Sequence, residues 1–119
     1  MGTNYYLIKE KHCDHCKHTH REKKHIGKSS AGWKFLFFAG TAVNFKLMLK
    51  HILDDEYRIE DEYGAVVHRI SFLDFVLEKQ IGKKAYTSES YAKETNSSFF
   101  DPHEYIDAWG FRFTDREFS

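Results

Sequence analysis

Two cysteines separated by two residues, inside a run that also holds five of the eight histidines, constrain this sequence more than any other feature. The run His12–Trp33 reads HCDHCKHTHREKKHIGKSSAGW. Cys13 and Cys16 are its only thiols, and His12, His15, His18, His20 and His25 surround or follow them. A Cys-x-x-Cys turn sets two thiolates about one tetrahedral edge apart, which is half of a zinc site. Spacing offers His20 and His25 as the other half, in the pattern Cys13-x2-Cys16-x3-His20-x4-His25. His18 is an alternative to His20, and His12 and His15 read as flanking residues. Four protein ligands close a site, so the expected cofactor is a structural Zn2+. A redox pair is the weaker reading, because no βαβ pattern accompanies the motif.

At 119 residues the chain fits one domain, 1–119, with enough sequence to bury a core of its own. Formal charge is zero, which excludes a global field for nucleic acid or an anionic membrane. The balance is uneven, however. Residues 1–30 carry seven Lys/Arg against three acids, a net of +4, and the remainder carries a net of −4. No apolar run approaches the roughly 20 residues that span a bilayer, and the N-terminus lacks a signal-peptide pattern. Two cysteines this close make no secreted disulfide scaffold, so the expected compartment is the cytoplasm.

Along the chain, Asn4–Ile8 is rich in β-formers and reads as a first strand. Residues 12–33 are the expected zinc loop and connector, with Gly27–Gly32 as a turn that delivers the chain into a strand at Gly32–Phe38. On that strand Trp33, Phe35 and Phe37 share one face and Lys34, Leu36 and Phe38 the other. Phe45, Met48, Leu49, Ile52 and Leu53 then form one stripe of a helix over Ala42–Leu53, capped by Thr41 or Asn44. Arg58–Val67 reads as a hairpin turning near Glu62–Gly64. Ser71 with Asp74 resembles a capping box for a second helix carrying Phe72, Leu73, Val76 and Leu77, with Lys79 near its end. Residues 83–98 accumulate Ser, Thr and Asn and read as a long loop, and Tyr105–Thr114 reads as a last hairpin with Gly110 in its turn. This order predicts an α+β domain: a largely antiparallel sheet, two helices and an N-terminal zinc-binding loop.

Three tempting motifs fail. Gly27-Lys28-Ser29 ends like a P-loop, but Glu22 stands where the first glycine belongs. His20-Arg21-Glu22 matches the H-x-E of zinc deaminases without the Pro-Cys-x-x-Cys that completes it. The cysteines and histidines suggest a zinc-stabilised HNH nuclease, yet no Asn sits near them. His51, His68 and His103 stand alone, and the acidic run through Asp54–Glu56 and Glu60–Glu62 reads as a solvated helix end and turn. No catalytic residues are assigned.

The opening Met1–Tyr6 (MGTNYY), Cys13-x-x-Cys16 leading to HIGKSSAGW at 25–33, the Asp61-Glu62-Tyr63-Gly64 turn and the closing Glu117-Phe118-Ser119 together resemble a family of small bacteriophage proteins. That family has no agreed activity. The resemblance implies Cys13, Cys16 and His25 as ligands. It also implies a small zinc-stabilised phage protein that binds a host or phage macromolecule, in counter-defence or host takeover, with a host protein as the expected partner. One alternative is single-stranded nucleic-acid binding, with Lys23, Lys24 and Lys28 on phosphates and Tyr5, Tyr6 or Trp33 stacked on a base. Another is a metal-dependent hydrolase, with Cys13, Cys16 and His25 on the metal and Glu22 as base.

Overall fold

A computed structural model describes residues 2–12, 19–30, 32–81 and 103–116. Among these the chain forms seven strands and two helices: β1 (Gly2–His12), β2 (Thr19–Ser30), β3 (Leu36–Phe38), α1 (Phe45–Ile52), β4 (Arg58–Asp61), β5 (Val66–Val67), α2 (Arg69–Ile81), β6 (Glu104–Ile106) and β7 (Arg112–Thr114). One sheet runs in the order β5-β4-β1-β2-β3-β7-β6. Every neighbouring pair is antiparallel except β3 with β7. The architecture is the expected α+β class. The loop at 83–98 lies outside the described residues.

Cross-strand neighbours decide which face is the core. Leu7 sits opposite Ile59, and Phe37 opposite Phe113. These join Ile26 and Phe35 with Phe45, Met48 and Ile52 of α1 and Phe72 and Val76 of α2 in one buried cluster. Both helices therefore cover the same face. Phe37 is its hub, with its ring 4.7–6.1 Å from those of Phe35, Phe45, Phe111 and Phe113. Much of the aromatic richness is core.

The main departure from expectation lies in residues 12–33. Thr19–Ser30 is not loop and connector but the second strand of the sheet, paired along β1 from Gly2↔Ser30 to His12↔Thr19. The turn shrinks to Ser30–Trp33, where Trp33 N donates to Ser30 O and Gly32 takes a positive φ. Only Leu36–Phe38 of the expected Gly32–Phe38 strand is regular, so Trp33 leaves the Phe35/Phe37 face and lies beside Arg112, Leu36 and Lys28. Gly27 lies where β3 presses closest. A Cβ there would meet Leu36 O at 2.1 Å and Phe35 Cε1 at 2.6 Å, so the glycine serves strand packing.

Asn44 caps α1, its side chain accepting from Leu47 N at 2.9 Å. For α2 the expected Ser71 cap is displaced. The helix starts at Arg69, with Ile70 N donating to His68 Nδ1 and Phe72 N to His68 O. The glycines expected in the two hairpin turns, Gly64 and Gly110, both hold positive φ. Lys79 donates from α2 to Ser30 O at 2.8 Å, and burial pushes its ammonium below the ordinary lysine range.

Truncating the hub should be costly. Phe37→Ala is expected to lower the unfolding free energy by about 3–5 kcal/mol in a urea titration. A loss below about 1 kcal/mol would mean that the surrounding rings close over the gap and that Phe37 is not central.

Candidate functional site: the β1–β2 arm

The β1–β2 ladder outruns its neighbours. Pairing of β1 with β4 stops at Ile8↔Arg58, and pairing of β2 with β3 covers only Gly27 and Lys28. Beyond those limits Lys9–His12 pairs with Thr19–Glu22 alone among the described strands. These four residue pairs make a two-stranded ribbon roughly 13 Å long, leading to the segment that carries both cysteines.

The root of this arm is a charge network. On the sheet face away from the helices, Arg58 reaches Glu10 at 2.6 Å and Glu60 at 2.5 Å, and Arg21 reaches Glu60 at 3.0 Å. Glu60 is buried, and the two arginines between them take both of its carboxylate oxygens, Arg21 on Oε1 and Arg58 on Oε2. Arg58 holds the Glu10 carboxyl below the usual carboxylate range, chiefly by hydrogen bonding. On the helix face, Lys9 pairs with Glu56, and the Lys9 and Lys24 ammonium groups lie 5.4 and 5.3 Å from the Tyr57 ring. Lys24 also reaches Glu22 at 3.4 Å.

The expected metal ligands fall in different places. Cys13 and Cys16, with His15 and His18, lie outside the described residues. His20 lies on β2 opposite Lys11, and His25 lies on β2 opposite Tyr6. Five residues of strand put those two histidines roughly 16 Å apart along the ladder. His25 is tied into the open face of the sheet. Its ring stacks on Tyr6 at 4.9 Å and lies 5.8 Å from Phe38, and its Nε2 sits 3.0 Å from Asn4 Oδ1. Its carbonyl accepts from Thr41 Oγ1 at 2.7 Å. Among the described residues no three His, Cys, Asp or Glu side chains converge as a metal site.

The other candidate groups are also engaged. Tyr5 packs on the core side against Phe35, Phe72 and Phe75. Tyr6 has His25 on one side and the Lys23 ammonium 4.0 Å from its ring, and Arg112 lies 4.8 Å from the Trp33 ring. A base could stack on Tyr6 only by displacing Lys23 or His25. Asp55, Glu56 and Glu62 of the acidic run are solvent-exposed as expected, while Glu60 is buried, and several of these carboxylates also take partners in the fold. Asp54 accepts from Glu56 N, Asp55 pairs with Arg69, Asp61 holds the β4–β5 turn, and Glu62 accepts from Asn4 N. The role of Glu60 in anchoring the arm was not foreseen. Its only signal was the surplus of acid in residues 31–119 against the surplus of base before them.

No protein family, curated protein or solved structure matches the chain. No helix among the described residues is long and apolar enough to cross a membrane.

Because the Glu10 pKa lies below its unfolded value, its contribution to stability is present above the ordinary carboxylate range and is lost as pH falls through the depressed value. The amides of Lys9–His12 should therefore lose protection on acidification before those of Leu7 and Ile26, after correction for intrinsic exchange. Glu10→Gln should remove that separate step. Simultaneous loss along the whole of β1 in the wild-type protein would show that the arm is not an independently opening unit.

Proposed function

We propose that the protein is a zinc-stabilised binding module whose recognition element is the β1–β2 arm, inserted into or laid against a macromolecular partner. The observation that carries this reading is the ladder's extension past β4 and β3 toward a Cys-x-x-Cys tip. A two-stranded hairpin is marginal in water on its own, and a metal at its end is one of the few ways to hold it rigid. In this reading Cys13, Cys16 and His20 hold Zn2+ with a further histidine of the tip, and His25 serves the sheet instead. Its distance from His20 along β2 and its contacts with Asn4 and Tyr6 support that division.

A protein partner is favoured over nucleic acid because the cations of the arm root are already engaged. Lys9, Arg21 and Lys24 face carboxylates, and Lys23 lies over Tyr6. The phage-type setting, with a host protein as target in the host cytoplasm, enters through the sequence resemblance and belongs to the same proposal.

Protein purified under reducing conditions should contain about one zinc per chain, the stoichiometry of a single four-ligand site. Cys13→Ser should lose the metal. His25→Gln should keep it while lowering stability by about 1–3 kcal/mol through the disturbed Asn4 contact. Metal-free protein with Cys13 and Cys16 in a disulfide would sink the zinc assignment, and zinc loss in His25→Gln would return His25 to the ligand set.

Function is tested by capture from bacterial lysate. The wild-type chain should retain a stoichiometric protein that Cys13→Ser/Cys16→Ser does not. Recovery of the same protein by both, or by neither, would remove the arm from the proposed role.

A further inference from the structure

The outer edge of β2, on the side away from β1, has a neighbouring strand only where it meets β3. That pairing covers Gly27 and Lys28, and the Thr41 hydroxyl takes the His25 carbonyl beside it. From Lys24 back to Thr19 no described strand lies along this edge. Residues of an antiparallel ladder alternate, one turning its N–H and C=O toward the partner strand and the next turning both away. Two hydrogen bonds fix which is which. His25 O reaches outward to Thr41, and on β1 Asn4 N reaches away from β2 to Glu62. With Tyr6 opposite His25, the alternation turns Lys24 and Glu22 toward β1, and Lys23 and Arg21 outward. The outward backbone groups of Arg21 and Lys23 make no hydrogen bond with a described residue.

The side chains of these two residues share the sheet face away from the helices, where both line one depression with Tyr6 and Glu60. Both residues are exposed. Arg21 gives Nη2 to Glu60, and Lys23 lies over the Tyr6 ring without a carboxylate among the described residues. On the other face Glu22 and Lys24 answer each other at 3.4 Å. An edge that offers both donors and acceptors is completed by another extended backbone. A second copy of β2 fits it badly. Each two-fold antiparallel register centred within Arg21–Lys23 sets Arg21 against Arg21, Arg21 against Lys23, or Lys23 against Lys23, and like charges directly opposite destabilise a strand pair. On the reading of the arm as the recognition element, we infer that β2 accepts an extended segment of a partner protein as an added antiparallel strand, with acidic side chains opposite Arg21 and Lys23.

The test uses the full-length chain and two fluorescein-labelled peptides of about six residues, the length of an ordinary strand, one alternating Glu with Thr and the other Lys with Thr. By anisotropy the Glu/Thr peptide should bind at least about tenfold more tightly, since two cross-strand pairs change from opposite to like charge. In its presence the Arg21 and Lys23 amides, open to exchange in the free chain, should become protected by NMR. N-methylation of the glutamates, whose N–H groups would face β2, should abolish binding, while N-methylation of the threonines should not. Lys23→Glu should erase most of the preference, with circular dichroism confirming the fold. Equal binding of the two peptides, no binding of either, binding without protection of those two amides, or full preference in Lys23→Glu would each overturn strand addition. In that event, capture of a lysate protein that still depends on Cys13 and Cys16 would leave the arm as the recognition element and move its contact elsewhere on the ribbon. Protection of the same amides in a dimer of the free chain, seen by sedimentation, would overturn the inference in favour of a second copy.

Discussion

Where Tyr5 and Tyr6 follow one another on β1, the facing strand carries three residues, His25, Ile26 and Gly27. Ile26 is the insertion, and it is fully buried in the core cluster. Gly27 follows it opposite Tyr5, at the point where β3 approaches too closely for a side chain. The bulge resets the alternation of β2. On its far side Lys24 falls opposite Leu7 and His25 opposite Tyr6, so His25 and Arg21 join the open face while Lys24 reaches Tyr57 at the helix edge. A strand that slipped by one residue here would exchange those two sets and uncouple both halves of the arm root. The placement of Ile26 thus governs the core beneath the sheet and the charge network that steadies the ribbon above it.

That network also accounts for the lopsided charge of the chain. The excess of base lies before residue 31 and the excess of acid after it. In three dimensions the two meet: Lys9 with Glu56, Arg21 with Glu60, and Arg58 bridging Glu10 and Glu60. Exposed pairs of this kind contribute little individually. Buried Glu60 is different, because removing either arginine would leave a carboxylate short of partners in a dry environment. Three of the basic residues in that first quarter of the chain therefore face carboxylates: Lys9 and Arg21 meet acids brought alongside by β4 and the segment before it, and Lys24 meets Glu22 on its own strand.

The parts of the fold that follow from short-range patterning were legible. The α1 stripe from Phe45 to Ile52, the Asn44 cap and the glycines of both hairpin turns are local signals that recur in the structure, while Leu53, expected on the stripe, is the exposed residue that ends the helix. β2 was not legible because its sequence, THREKKHIGKSS, has one fully buried aliphatic residue and no alternation of apolar and polar positions. It is a strand because β1 lies along it and β3 meets its end, a tertiary requirement that overrides a weak intrinsic preference. The start of α2 shows the same limit on a smaller scale. Ser71 is the better cap by residue type, but His68 stands where the chain leaves β5, and its imidazole nitrogen takes the donor. Of the candidate site, the cysteine pair was visible as a motif, while the separation of His20 from His25 became visible only once both lay on one extended strand.

The sheet and the arm are held by different kinds of contact. From Tyr5 to Ile8, β1 is flanked on both sides and carries Leu7 into the core, so burial holds it. Beyond Ile8 each added pair gains ladder hydrogen bonds without a flanking strand among the described residues. Lys9 and Lys24 around Tyr57, with Arg58 and Arg21 around Glu60, brace the first pairs on opposite faces of the ribbon. Those contacts do not reach past Glu10 on β1. Past Glu10 the ladder continues as Lys11 with His20 and His12 with Thr19, toward the segment in which the sequence places Cys13 and Cys16.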